Sequence, residues 1–320
     1  MDTVPTAPNL MVIRVEEADL LFNYLSNVLV TGSSGFVGRA LVDRLRPASA
    51  QLMLPRQLNI DAAEMSDIST VIHLAARVHV MHDTAADPSA AFRAVNLEAT
   101  LALAAQAAAA GVRRFVFVSS VKVNGEATTA GHAFTERDAP APQDAYALSK
   151  WEAEQGLRQI AVSSGMEVVI IRPPLVYGPG VKANFAALMR AVQRGLPLPL
   201  GAVHNLRSLV GLDNLVDFII TCARHPAAAN QTFLVSDGAD ISTPDLVRAM
   251  ACAAGRPARL LSVPVGVLAS LASLVGKRAA VDRLCSSLQL DISKSHELLQ
   301  WAPPVTLKEG LRRAFAGATP

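Results

Sequence analysis

TGSSGFVG, residues Thr31 to Gly38, follows the apolar run Val28 to Val30 and opens a stretch with helical periodicity. That order of strand, glycine turn and helix is the pattern of a dinucleotide-binding βα unit. Gly32 is placed to make the tight turn out of the strand, Gly35 to let backbone approach a pyrophosphate, and Gly38 to let helix and strand pack closely. The phosphates would rest on the helix N-terminus, where open N–H groups and the positive end of the helix dipole meet negative charge. Phe36, Val37, Ala40, Leu41 and Leu45 give the helix an apolar stripe, and Pro47 ends it.

Outward from that unit, short apolar runs alternate with helical stretches. TVIHLAA (Thr70 to Ala76) precedes an alanine-rich helix from Ala90 to Ala110, and RFVFVSS (Arg114 to Ser120) precedes a helix from Tyr146 to Ser163. EVVIIRP (Glu167 to Pro173) follows. Strands continuous in Val and Ile and separated by helices predict an α/β fold, a doubly wound (Rossmann) parallel sheet covered on both faces. Its ligands are expected at the carboxyl ends of the strands. After Pro173 the texture changes to LVYGPG, GLPLPLG and RSLVGL, which predicts a smaller, irregular domain from about Gly178. TFLV, at Thr232 to Val235, reads as one more strand returning to the sheet, so the two domains interleave. The expected division is 28–177 with 208–237 for the dinucleotide, and 178–207 with 238–320 for the substrate.

The 320 residues are 51% hydrophobic, enough for one large core or two modest ones. Charge is nearly balanced, with 29 Lys plus Arg against 27 Asp plus Glu, so no basic field argues for nucleic acid. Only six of the cations are lysines, and arginine suits forked contact with phosphate. Cys222, Cys252 and Cys285 are odd in number and sit in apolar helical patterns, which predicts buried reduced thiols and a cytoplasmic location. No spacing suggests a metal site. Residues 1–27 carry Glu16, Glu17 and Asp19 and read as an N-terminal extension rather than a secretory signal. LLSVPVGVLASLASLVG, Leu260 to Gly276, is uncharged over 17 residues; Pro264, Gly266 and three serines favour a buried or surface apolar helix over a membrane span, and membrane contact is not expected.

YALSK places Tyr146 and Lys150 on one helical face, one turn apart. That pair is a candidate proton-transfer device. A free phenol has a pKa of about 10, so work near neutrality needs a nearby cation or a charged ring to favour the phenolate. Ser120 ends its strand at the ligand-binding edge, where its hydroxyl could hydrogen-bond a reacting oxygen. Asn96, in AVNLEAT, either orients its helix or serves the site.

With these segments in place, the chain resembles the extended short-chain dehydrogenase/reductases of nucleotide-sugar chemistry, the NAD-dependent epimerase/dehydratase family. The resemblance is carried by TGSSGFVG, HLAA (His73 to Ala76), VNLEAT, FVSSVKVNGE, YALSK, RPPLVYGPG, RSLVGLDNLVD and LDISKSHELLQW, from about Val28 to Gly310. It implies that Ser120, Tyr146 and Lys150 are catalytic. It implies cofactor contacts from Gly32, Ser34, Gly35, Phe36, Val37, Arg56, Leu74, Ala75, Ala76, Asn96, Tyr146, Lys150 and Pro173. The diphosphate of a UDP-sugar would meet Asn184, Arg207 and Arg283, with Lys122 as a further substrate contact. A homodimer through the Ala90 to Ala110 and Tyr146 to Ser163 helices is implied as well.

The departures narrow the reaction. Sugar-nucleotide 4,6-dehydratases of this family have an Asp-Glu pair after the catalytic hydroxyl residue, where this chain has Val121 and Lys122, so loss of water is not expected. UDP-galactose 4-epimerases usually have tyrosine at the position of Asn124 and asparagine at that of Leu175. The second strand, QLMLP, ends in Arg56 where an acid usually holds an NAD ribose, which tilts the cofactor from NAD toward NADP. VKVNGEATT, LVYGPGVKANF and SLQLDISK look most like the bacterial subgroup that reduces 4-keto sugar nucleotides for O-antigen and capsule precursors. The expected substrate is a UDP-2-acetamido-2,6-dideoxy-4-hexulose, reduced toward UDP-N-acetylquinovosamine or its 4-epimer. The alternatives are a UDP-hexose 4-epimerase, with the same catalytic groups, and a non-catalytic NAD(P)-binding sensor.

Overall fold

The computed structural model describes residues 27–46, 51–53, 60, 65–78, 87–129, 131–274, 276 and 278–317. Strand β1 (Asn27–Thr31) leads through the glycine turn into helix α1 (Phe36–Leu45), and β2 (Gln51–Met53) follows. β3 (Thr70–His73) comes next. Helix α2 (Pro88–Arg93) runs through a π-helical turn, Ala94–Glu98, into α3 (Ala99–Ala109). β4 (Arg114–Val118), α4 (Ala145–Ser164) and β5 (Glu167–Arg172) complete the predicted alternation. Asp144 and Gly165 bound α4, the first accepting from the Ala147 N–H and the second taking a left-handed φ of 76°.

Six strands form one sheet in the order β2-β1-β3-β4-β5-β8, every pair parallel; β8 (Thr232–Leu234) is the strand that TFLV predicts, and it lies at the edge. The chain leaves β1 to one side for β2 and returns to the other for β3. The sheet therefore switches direction between β1 and β3, where a crevice opens at the strand ends.

Alternate residues of each strand face opposite sides. Val28, Val30, Ile72, Val116, Val169 and Ile171 pack with Leu41, Val42 and Leu45 of α1 and with α6 (Leu212–Arg224). Leu29, Val71, Phe115, Phe117, Val168 and Ile170 pack with Leu103, Ala104 and Ala107 of α3 and with Ala153 and Leu157 of α4. Burial on both faces accounts for strands that read as unbroken Val and Ile runs.

A second core gathers Phe185, Met189 and Val192 of α5 (Ala183–Gln193) with Leu246, Val247 and Met250 of α7 (Thr243–Ala253) and Leu311 and Phe315 of α11 (Leu307–Ala316). Helices α8 (Val265–Leu274), α9 (Arg278–Cys285) and α10 (Ser293–Leu299) belong to the later part of the chain. β6 (Leu175–Tyr177) and β7 (Leu209–Gly211) pair as a separate two-stranded sheet. The seam is polar: the buried Asp237 carboxylate accepts from Tyr177 Oη (2.6 Å), the Gly211 N–H (2.7 Å) and Asn214 Nδ2 (2.7 Å). Asn214 also exchanges hydrogen bonds with the backbone of Val305, fastening the final segment.

Of the three cysteines expected to be buried, Cys222 is buried, Cys285 is half-buried and Cys252 is exposed. Cys252 lies near the end of α7, on the turn that faces away from Met250 and Ala251 of the second core. No helix among the described residues is long and apolar enough to cross a membrane.

Candidate active site

The site starts with the glycine turn. Gly32 takes a φ of 70°, and a Cβ there would lie 2.6 Å from the Ala75 nitrogen. A Cβ on Gly38 would lie 2.1 Å from the Gly32 carbonyl oxygen. Both positions therefore exclude any side chain. Leu74 and Ala75 cross directly over the turn, the Leu74 N–H donating to the Thr31 carbonyl and the Ala75 N–H to Thr31 Oγ1. Gly35 differs: an added Cβ would meet only the Gly32 oxygen at 3.1 Å, and as the N-cap of α1 it has no side chain to cap the first turn. Its bare side and the uncapped first turn of α1, beside exposed Ser34, make the cradle that a dinucleotide diphosphate needs. The residues present fit NAD or NADP.

Beneath the turn, buried His73 bridges Thr31 Oγ1 (2.7 Å) and Thr100 Oγ1 (2.9 Å) and stacks on Phe117. Burial, with a smaller push from the Lys150 charge, drives its imidazole down to about 3, so it stays neutral and structural. Asn96, expected among the cofactor contacts, is fully buried in the π-helical turn and acts at one remove. Its Oδ1 accepts from the Arg77 N–H (2.8 Å), and its Nδ2 donates to the Arg77 carbonyl (3.0 Å) and Ser149 Oγ (3.1 Å). Both amide protons are taken by protein, so Asn96 positions the loop after β3 instead of reaching the crevice. Arg56, the expected 2′-phosphate ligand, lies outside the described residues.

On the far side of the crevice, Ser120 caps the short turn Val121–Val123, its hydroxyl accepting from the Lys122 N–H. The turn is fixed by the Val121 N–H donating to the Pro173 carbonyl (3.0 Å). Tyr146, in the first turn of α4, has its phenol near the Ser120 hydroxyl. Burial raises its phenol to about 12; the Ser120 hydrogen bond opposes this and the Asp144 charge adds to it. Lys150 stands one turn below, with Nζ donating to the Val118 carbonyl (2.9 Å) and lying 4.4 Å from the Phe117 ring centre. Burial lowers its ammonium to about 7, against the attraction of Glu154. The three residues picked from the sequence thus meet at the carboxyl edge of β4.

Another turn down α4 comes a residue that the sequence reading missed. Glu154 is fully buried and receives Ser119 Oγ (2.6 Å) and a two-pronged contact from Arg172 (2.9 and 2.6 Å). Arg172 Nη1 then donates to Asn124 Oδ1 (2.9 Å), whose Nδ2 donates to the Thr135 carbonyl (2.9 Å). The spacing Tyr146, Lys150, Glu154 along one helix face was the available signal. Asn124 is consequently locked into this buried chain.

The expected substrate contacts divide. Lys122 was expected at the sugar, but its Nζ sits between Glu126 (2.9 Å) and Asp144 (2.5 Å). Burial lowers its pKa, but the bonds and charges of these acids outweigh that and raise it overall. A cation matched by two carboxylates braces the start of α4 and is a poor phosphate ligand. Arg207 and Arg283 come together, but through backbone: Arg207 Nη1 donates to the Arg283 carbonyl (2.7 Å) and the Ser286 carbonyl (3.0 Å), capping the end of α9. Asn184 stands exposed in the first turn of α5. A cavity of about 520 Å³ opens beside Leu206 and Ser287, lined also by Asn205, Ser242 and Arg248. Among the described residues, no three His, Cys, Asp or Glu side chains gather as a metal site.

Residues 28–236 match the profile of the NAD dependent epimerase/dehydratase family. A UDP-glucose 4-epimerase of Vibrio cholerae is 48% identical over 90% of this chain and 94% of its own length. The N-acetyl-alpha-D-glucosaminyl-diphospho-ditrans,octacis-undecaprenol 4-epimerase of Escherichia coli O157:H7 is 27% identical, covering 90% of this chain and 94% of that one. Among solved structures, RMD from Pseudomonas aeruginosa complexed with NADPH superposes with a TM-score of 0.71 at 23% identity, over 91% of this chain and 99% of that one.

Proposed function

We propose that this chain, which belongs to the NAD dependent epimerase/dehydratase family, reduces the 4-keto group of a UDP-linked 2-acetamido-2,6-dideoxyhexulose. It is an enzyme of sugar-nucleotide chemistry that uses NAD or NADP. The observation that supports the finer reading is the placement of Tyr146 in the first turn of α4, with Lys150 one turn below at the carboxyl edge of β4, where a protonated phenol can face a ketone oxygen. Asn124 supports the same reading, since its amide is committed to Arg172 and Thr135 and is not offered to a sugar.

Ser120 and Tyr146 bind the carbon-4 oxygen from one side. The reduced nicotinamide, when bound, supplies hydride to carbon 4. Tyr146 gives its phenolic proton to the oxygen as negative charge grows there, and Ser120 stabilises that charge. Lys150, desolvated and poised near neutrality, holds the ribose hydroxyls and stabilises the phenolate that Tyr146 leaves behind. In the second lobe, Arg207, held still by the carbonyls at the end of α9, presents a fixed cation to the diphosphate with Asn184 and Arg283 near the nucleotide.

The second reading is a UDP-hexose 4-epimerase, favoured by the 48% identity to the Vibrio cholerae enzyme. It uses the same residues to oxidise carbon 4 and return hydride to the other face. Purified protein is mixed with the 4-keto UDP-sugar and NADPH or NADH while nicotinamide absorbance is followed. Stoichiometric loss of the reduced cofactor is expected; steady absorbance with interconversion of UDP-hexoses would establish the epimerase instead. Unchanged biological activity of Tyr146→Phe would point to a cofactor sensor.

A further inference from the structure

We propose that α8 docks this protein on the surface of an anionic lipid bilayer, its apolar stripe entering the interface and the arginines around it meeting headgroup phosphates. The inference goes beyond the catalytic reading and stands apart from it. Val267, Leu271 and Leu274 recur at helical spacing on the outer side of α8, 50%, 57% and 84% exposed. Leu261, just before the helix, is 52% exposed. The opposite side is already occupied, with Val265 and Leu268 packed on the second core and Ala272 buried. The only hydroxyls on the helix are satisfied within it: Ser270 Oγ donates to the Gly266 carbonyl (2.9 Å) and Ser273 Oγ to the Ala269 carbonyl (2.8 Å). The helix therefore enters an apolar medium without abandoning a polar group.

Charge selects the occupant. Around α8 the chain has Arg248, Arg256, Arg259, Lys277 and Arg278, of which Arg248 pairs with Asp245 (2.7 Å) and Arg278 with Asp282 (3.6 Å). Arg256 and Arg259 are exposed on the approach to α8 and have no ion pair among the described residues. An apolar stripe flanked by arginines matches an anionic interface, where each cation near the surface is worth about a fivefold gain in binding. A second copy fits poorly, because a two-fold interface would set one cationic cluster against its twin. With ten residues α8 is about 15 Å long, so it lies along the surface instead of crossing it.

The test floats the full-length protein with vesicles of phosphatidylglycerol or of phosphatidylcholine, at low and at physiological salt. Wild type is expected on phosphatidylglycerol vesicles, more weakly as salt rises, with little on phosphatidylcholine. Leu274→Glu, at the most exposed position, and the pair Arg256→Glu with Arg259→Glu are each expected to weaken binding about tenfold or more. Their circular dichroism and turnover of soluble substrate should match wild type. Failure of wild type to bind phosphatidylglycerol at low salt overturns the proposal, as does undiminished binding by both variants. A smaller oligomer for Leu274→Glu in light scattering, with no lipid binding by wild type, assigns the stripe to a second copy and overturns it too.

Discussion

The turn at Gly32 and the seam at Asp237 both hold pieces of chain in close contact, but by opposite means. At the turn, contact depends on missing side chains: Gly38 lets α1 approach the Gly32 carbonyl, and Gly32 lets the Leu74 to Ala75 backbone pass overhead. At the seam, contact depends on side chains that are present. Tyr177 Oη, the Gly211 N–H and Asn214 Nδ2 converge on one buried carboxylate. The first kind of contact is local and steric. The second is long-range and polar, and burial raises the pKa of Asp237 despite three donors that lower it. The active site lies between these modes, with a backbone cradle on one wall and a buried ionic chain under the other.

The contrast can be broken at several points. Tyr146→Phe removes one oxygen at the surface of a packed helix, so the fold and cofactor affinity should hold while kcat falls about 10²- to 10⁴-fold. Steady-state kinetics beside a cofactor titration would check it, and a raised KM with normal kcat would contradict the proton-donor role. Glu154→Ala leaves Arg172 buried without its carboxylate and should cost about 3 to 5 kcal/mol of stability by denaturant unfolding. A loss below about 1 kcal/mol would mean that the ionic chain does not support the site.

Gly38→Ala should cost about 1 to 3 kcal/mol and abolish cofactor binding, because the colliding atom is backbone and cannot rotate away. Fluorescence titration with NADPH reads the second effect. Arg207→Ala uncaps α9 and should cost only about 1 kcal/mol, with a rise in KM for the UDP-sugar larger than any fall in kcat. An unchanged KM would confine Arg207 to the helix end.

Lys150 gives the most diagnostic signal. Its pKa falls from 10.5 free to about 7 folded, so between those values the unfolded chain binds the extra proton. Unfolding free energy should therefore rise as pH goes from about 7 toward 10, and it loses that contribution as pH falls through 7. Lys150→Met should flatten this rise in a series of unfolding curves measured across the window.

Much of this was legible in the chain. The parallel sheet, the return of TFLV to it, the glycine turn and the pairing of Tyr146 with Lys150 all follow from local pattern, because period, turn chemistry and helical spacing act within a few residues. Asn96 and Lys122 show where that legibility stops. Each is polar and close in sequence to the site, but decisive partners come from elsewhere: Arg77 and Ser149 for Asn96, and Asp144 for Lys122. Arg207 is a partial case, with its Nη1 alone held by the Arg283 and Ser286 carbonyls at the end of α9.

By itself, then, the sequence determined the fold class, the cofactor turn and the proton-transfer pair, because hydrophobic period and glycine conformation are properties of short segments. Tertiary structure alone decided which charges are matched, which amides are occupied and which apolar helix remains uncovered. Those outcomes depend on burial and on partners distant in sequence. A desolvated group must find its counter-charge wherever the fold brings one.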